Sequence, residues 1–299
     1  MSPDPSVPLV DGSISLADRS DPLLVDPTRS LLAAVIESYR GAYPDLVDPD
    51  LNALRAADTE ESSQTRSPDV PTLTVLASEA VIDAVTDGFH ATSRLAALTE
   101  SGTVELLTLR EPQPNVVLAG ETTGCVLVEH RDEMDESGAA DRSTRHPVGD
   151  DPSLHERYAD LVAAASTKRL RTPSRHRIYG AFVDRCGTAV AADLIRVLDA
   201  APGLSDDDIV DPRIRAYAVG ARHGVLDHDL RRACEDAGLG SPSTFTRVKR
   251  RLIDAELVQT ERVPQPVGRP RERIVATATL AQPSPSSVAE PIRVALEGG

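Results

Sequence analysis

Between residues 243 and 251 the chain sets Ser243, Thr244, Thr246, Arg247, Lys249, Arg250 and Arg251 close together. Guanidinium groups at this density suit hydrogen bonding to nucleic acid, because arginine can grip guanine O6 and N7 with two hydrogen bonds, worth about 1–3 kcal/mol of discrimination between bases. On a wheel of about 100° per residue, Val248 and Leu252 fall within roughly 60° of Phe245 and form the expected buried face. Ser243, Thr246, Arg247 and Arg250 fall opposite. A hydroxyl-rich start that includes Thr244, followed by two arginines, fits a helix whose N-terminal residues meet base edges in the major groove. Lys249 and Arg251 lie on the flanks and are expected to contact phosphates.

The neighbouring sequence supplies elements to hold that helix. Asp211 and Pro212 open a helix in the favoured order of cap and first-turn proline, with Ile214, Tyr217, Ala218 and Ala221 as its core stripe. Gly224 ends it, Val225-Leu226 can form a short strand, and Asp227 is expected to cap a second helix facing inward through Leu230, Ala233, Cys234 and Ala237. Gly238-Leu239-Gly240 turns the chain, Ser241 caps the next helix and Pro242 takes its first position. Leu257–Val263 and Arg271–Ala276 read as two strands joined by a proline-stiffened loop that turns at Gly268 and holds Arg269 and Arg271 outward. Helix, turn, helix and basic hairpin over residues 211–276 give a winged helix-turn-helix. From Ser241 to Val275 eight basic residues (Arg247, Lys249, Arg250, Arg251, Arg262, Arg269, Arg271, Arg273) face four acids (Asp254, Glu256, Glu261, Glu272), a local balance of +4.

That local reversal sits in a chain of 299 residues with net charge −15, the wrong sign for a plain DNA-binding protein. Only Lys168 and Lys249 are lysine among the 32 basic residues, aromatics are 3% and tryptophan is absent. An acidic, lysine-poor, aromatic-poor composition resembles the proteome of a salt-loving archaeon; coding bias in a GC-rich bacterium is the alternative. Cys125, Cys186 and Cys234 are scattered without the paired spacing of a metal or redox site, so neither metal nor cofactor is expected. Residues 1–21 lack a basic region followed by an apolar run, and no stretch approaches the roughly 18 apolar residues of a membrane span. A cytoplasmic protein without membrane contact is expected.

Upstream, residues 1–21 read as a flexible leader rich in Pro, Ser and Asp. Residues 22–170 read as an α/β domain. Strands at Pro22–Val25, Leu73–Ala77, Thr103–Leu109, Asn115–Ala119 and Gly124–Glu129 alternate with helices at Thr28–Tyr39, from Ser78 to Leu98 and at Leu154–Leu170. Acidic insertions are expected at 41–70 and 130–152, a helical connector (or a dimer helix) at 171–210, and a disordered tail at 277–299. The fold class is therefore an α/β sensor-like domain with a mixed sheet, a helical connector and a winged helix-turn-helix.

The upstream sheet carries no motif that points to catalysis. G-x-G-x-x-G, G-x-x-x-x-G-K-[ST] and G-x-S-x-G are absent, and no histidine is followed two residues later by lysine. Asp26 and Ser78 follow strand ends, where a turn residue and a helix cap are the ordinary roles, and His90 lies among apolar neighbours. No catalytic residue is assigned.

The run Gly238–Ile274, with the pattern S-x-x-T-F-x-R-x-K followed by V-G-R-P-R, resembles the C-terminal domain of haloarchaeal TbsP-type transcriptional regulators. Segments 23–36, 73–109 and 115–130 are similar to the N-terminal domain of that family. The resemblance spans most of Pro22 to Val275 and implies a regulator linked to sugar metabolism, with a sensor-like α/β domain without known catalysis. Double-stranded DNA is the expected partner, an unidentified small-molecule effector is placed at the N-terminal domain, and a homodimer is expected. The alternatives are a phosphodiesterase-like enzyme targeted by its winged helix, and a winged helix used only for protein contact.

Overall fold

The computed structural model describes residues 4–59, 70–131, 143–199, 211–265, 270–281 and 292. The chain divides into two compact units, Met1–Asp48 with Ser62–Leu170, and Pro49–Glu61 with Arg171–Gly299.

The N-terminal unit opens with a hairpin, β1 (Ser6–Leu9) and β2 (Gly12–Ser15), paired antiparallel. This corrects the flexible leader. Val7 and Leu16 are fully buried, and burying two aliphatic side chains against the main core offsets the cost of ordering a proline-containing segment. Strand β3 (Leu23–Val25) then leads into α1 (Arg29–Ala42), whose first turn is capped by the Thr28 hydroxyl accepting from the Leu31 N–H. Stretch 41–70 is not simply a loop. It holds α2 (Pro44–Val47), with proline in its first turn, and α3 (Leu51–Thr59), whose amides at Asn52 and Ala53 are accepted by the Asp50 carboxylate at 2.8 and 2.7 Å. Helix α3 belongs to the C-terminal unit, and its Leu54 is buried.

Strand β4 (Leu73–Ser78) ends on Ser78, which caps α4 (Glu79–Val85) as its sequence position predicts. The helix expected to run on to Leu98 is broken at Gly88 (φ 85°), and α5 (Phe89–Glu100) starts afresh. Strands β5 (Val104–Leu109), β6 (Val116–Ala119) and β7 (Gly124–Arg131) follow, the last two joined by the expected hairpin at 120–123. Stretch 130–152 also needs correction, because Ser143–Val148 forms β8 and pairs antiparallel with β7. Helix α6 spans Leu154–Ala164, shorter than expected, because β9 (Ser166–Thr167) pairs with β5.

The seven strands run in the order β8-β7-β6-β3-β4-β5-β9, with β3, β4 and β5 parallel and the flanking strands antiparallel. One face packs on the hairpin, α1, α4 and α5 through Leu24, Val75, Ala77 and Leu106; the other meets α6 through Leu23, Leu76, Leu107 and Val117. Burial on both faces explains why the central strands read as continuous apolar runs. Asp26 takes φ 49° at the end of β3 and its carboxylate accepts the Gln113 N–H at 2.7 Å, a turn role. His90 packs edge-on against Phe89.

After α3, the C-terminal unit continues with α7 (Arg175–Cys186) and α8 (Thr188–Asp199), turned at Gly187 (φ 90°). Both pack inside this unit, α7 on α10 and α8 on α9. They are therefore part of its core rather than a connector, because Ile178, Phe182, Leu194 and Ile195 have no exposed surface left. Helix α9 (Pro212–Arg222), α10 (Asp227–Asp236) and α11 (Pro242–Asp254) form the three-helix core, followed by β10 (Val258–Val263), β11 (Arg271–Ala276) and α12 (Ala278–Ala281). Arg215, 2% exposed, donates through Nη1 to the Val197 and Leu198 carbonyls at the end of α8, and burial lowers its pKa. The tail expectation is corrected where described: Leu280 and Ile292 are fully buried.

Candidate nucleic-acid interface

Helix α11 is placed by its apolar side. Phe245, Val248 and Leu252 are the buried residues, as the wheel predicts. The Phe245 ring stacks on Tyr217 of α9 at 5.7 Å and 9°. Helices α10 and α11 are joined at Gly238 (φ 82°), a left-handed position where a side chain would be strained. Ile274 N–H donates to the Val225 carbonyl at 3.0 Å and Leu226 bridges Arg273, so the expected short strand does pair with the hairpin.

With that face fixed, Ser243, Thr246, Arg247, Arg250 and Arg251 are exposed and Thr244 is half-buried. The side chains of Arg247, Arg250 and Arg251 make no hydrogen bond or ion pair among the described residues, which leaves three guanidinium forks available to a ligand. The hydroxyls are more engaged than the sequence indicates. Ser241 does not cap through its side chain; its Oγ lies 2.9 Å from Ser243 Oγ and 3.1 Å from Thr244 Oγ1. Thr246 Oγ1 donates to the Pro242 carbonyl at 3.0 Å and accepts from Arg231 Nη1 at 3.4 Å.

Lys249 departs from the phosphate-contact expectation. Its Nζ lies 2.9 Å from Asp227 Oδ2 and 2.6 Å from Glu272 Oε2, and its side chain is 16% exposed. Asp227 likewise does not cap α10. It is the first helical residue, its carboxylate is nearly buried, and the same Oδ2 accepts from Arg231 Nη2 at 3.0 Å. Arg231 was missed as a member of this group, although Asp227 and Arg231 stand at the i,i+4 spacing of a helical ion pair. Burial, with Asp227 adding to it, pushes the Tyr217 phenol well up.

Arg271 is exposed opposite Val263, at the loop end of the hairpin. Arg269 and the turn at Gly268 lie outside the described residues. Cys125 and Cys234 are buried, which raises their thiol pKa values, and burial pushes the half-buried Cys186 up to about 12. Among the described residues no helix is long and apolar enough to cross a membrane.

Residues 174–293 match the family described as "Transcriptional regulator TbsP-like, C-terminal HTH domain". Residues 44–173 match its companion, "Transcriptional regulator TbsP-like, N-terminal". The chain belongs to the TbsP-like transcriptional regulators. Against curated proteins and solved structures it has no match. The TbsP-like HTH match starts at residue 174, one residue before α7, so family boundary and packing agree that α7 and α8 belong with the helix-turn-helix. The TbsP-like N-terminal match starts at residue 44, which leaves β3 and α1 outside it although β3 is central to the sheet. The matched HTH domain makes this a DNA-binding regulator, and α11 is the helix that follows the turn.

Proposed function

We propose that this protein is a sequence-specific regulator that reads duplex promoter DNA with α11 in the major groove. The observation that carries the proposal is the trio Arg247, Arg250 and Arg251, whose side chains are exposed and without partners among the described residues, on a helix whose opposite face is buried. Arg247 and Arg250 meet base edges, Ser243, Thr244 and Thr246 line the entry of the helix, and Arg251 meets phosphate. Arg271, with Arg269, carries the hairpin along the adjacent backbone. The Arg247→Ala/Arg250→Ala double variant is expected to lose at least about tenfold in affinity for promoter fragments in gel shifts, with little change on unrelated DNA. Unchanged promoter binding would rule out base reading by this helix and favour protein contact.

The composition supports a haloarchaeal, cytoplasmic setting, with 30 arginines to two lysines and a net charge of −15. At molar salt the screening length falls to about 3 Å. Affinity there must come from close hydrogen bonds, apolar contact and avidity. We therefore propose a homodimer on a pseudo-palindromic site, with the N-terminal α/β unit as the sensory part that takes a small-molecule effector. The resemblance of the chain supports a role in sugar-metabolism gene control. Sedimentation in molar KCl should give a dimer on DNA; a monomer both free and on DNA would exclude this arrangement.

A further inference from the structure

Lys249 differs from its neighbours on α11 because its charge is spent inside the protein. Its ammonium joins Asp227, at the start of α10, to Glu272, the second residue of the hairpin strand β11. Arg231 completes the group on Asp227 and touches Thr246 on α11. Two cations therefore balance two carboxylates across three elements: the helix before the turn, the recognition helix and the wing hairpin. The Asp227 and Lys249 side chains are 12% and 16% exposed, so this contact is screened by salt much less than a surface pair.

We propose that Lys249 is a positioning residue, a latch that fixes the hairpin relative to α11 so that Arg247, Arg250 and Arg271 engage one DNA face together. This rests on the DNA-binding reading above. The latch contributes affinity through geometry and makes no phosphate contact of its own. For Nζ to reach a phosphate it would have to leave both carboxylates, and Asp227 would be left nearly buried with Arg231 alone. Burial works against the Lys249 charge, but its hydrogen bonds to Glu272 and Asp227 outweigh this and raise its pKa, while Lys249 in turn lowers that of Glu272.

Lys249→Met, Glu272→Gln and the double variant separate a latch from a phosphate contact. Promoter affinity is measured across a KCl series, and amide hydrogen exchange in β10 and β11 is measured on the free full-length protein. Each single variant is expected to weaken binding by about tenfold and the double to be no weaker, as for residues in one network. The salt slope should stay unchanged and the hairpin amides should exchange faster. A direct phosphate contact gives the opposite pattern: Lys249→Met lowers the salt slope by about one, and Glu272→Gln raises affinity by freeing the lysine and removing an acid. Either result overturns the latch. Glu272 is exposed, so Glu272→Gln keeps the fold intact should Lys249→Met disturb it. A wild-type protein that bound no promoter DNA would defeat the DNA-binding reading alone, since exchange in the free protein still decides the latch: faster hairpin exchange upholds it and unchanged exchange overturns it.

Discussion

Replacing Phe245 by alanine is expected to cost the C-terminal unit about 3–5 kcal/mol, the range for a buried phenylalanine cut back to a methyl group. The side chain is fully buried, stacks on Tyr217 and lies under the turn, where a Cβ on Gly240 would come 3.4 Å from its Cζ. It thus joins α9, the turn and α11 at one point, and few alternatives exist in a chain with three phenylalanines and no tryptophan. Collapse around the cavity is limited, because Tyr217, Leu230 and Leu252 are themselves fully buried. Since a domain is stable by only about 5–15 kcal/mol, this loss removes a large part of the total. Urea unfolding in high KCl should show an earlier transition for the C-terminal unit and an unchanged one for the N-terminal sheet. Phe245→Leu, which keeps most of the volume, should cost less than about 1.5 kcal/mol. A loss below about 1 kcal/mol for Phe245→Ala would mean that the stacked ring is not what holds α11 in place.

Phe245 was legible in the sequence because its place on the buried face of α11 follows from local spacing, although its stack on Tyr217 does not. The wheel of α11 needs only its own spacing, and the start at Asp211-Pro212 needs only an adjacent pair; there the Asp211 carboxylate accepts the Arg213 N–H at 2.8 Å, as a cap should. The central strands were legible for a related reason, since burial on both faces leaves an apolar run that survives without knowledge of its neighbours. Lys249 was not legible. The spacing along α11 sets it apart from Arg250, on a flank and not on the opposite face, but its partners lie 22 and 23 residues away on two other elements that this spacing does not reveal. The short strands β1, β2 and β8 escaped for a similar reason. Each has few apolar positions, and each is fixed by pairing across a sheet or by contact with α1 rather than by its own pattern. The same holds for α3, whose single buried leucine matters only because α7 and α8 pack beside it.

Arg145 shows how much that pairing hides, and Arg145→Met is expected to destabilise the N-terminal unit by about 3–5 kcal/mol, the cost of leaving one member of a buried ion pair alone. Arg145 is 6% exposed; its Nε lies 2.6 Å from Glu129 Oε1 across the β7–β8 register, and its Nη2 donates to Ser30 Oγ at 2.9 Å. Thr28, the cap of α1, donates to the same Glu129 oxygen at 2.8 Å, and the Arg145 carbonyl accepts from the Val10 N–H at 3.0 Å. One residue within a stretch that reads as irregular therefore ties together the edge strand, the start of α1 and the N-terminal hairpin. Methionine can occupy the volume of the arginine stem, so the loss comes mainly from a Glu129 carboxylate left with hydroxyl donors in place of its cation. The double variant Arg145→Met/Glu129→Leu removes that stranded charge and should recover most of the loss, because replacing a whole buried pair by apolar groups is often neutral. The recovery, measured as a non-additivity of up to about 3 kcal/mol in urea unfolding, is the decisive quantity. If single and double variants were equally unstable, the side-chain packing of Arg145 would be responsible and its charge would not. A second readout follows from the position of β8 at the end of the sheet, with Val128 and Val148 already exposed on it and its neighbour. Loosening this strand uncovers the β7 edge beside two exposed valines, a template for pairing between chains. Arg145→Met should therefore aggregate on mild heating at concentrations where the double variant stays soluble.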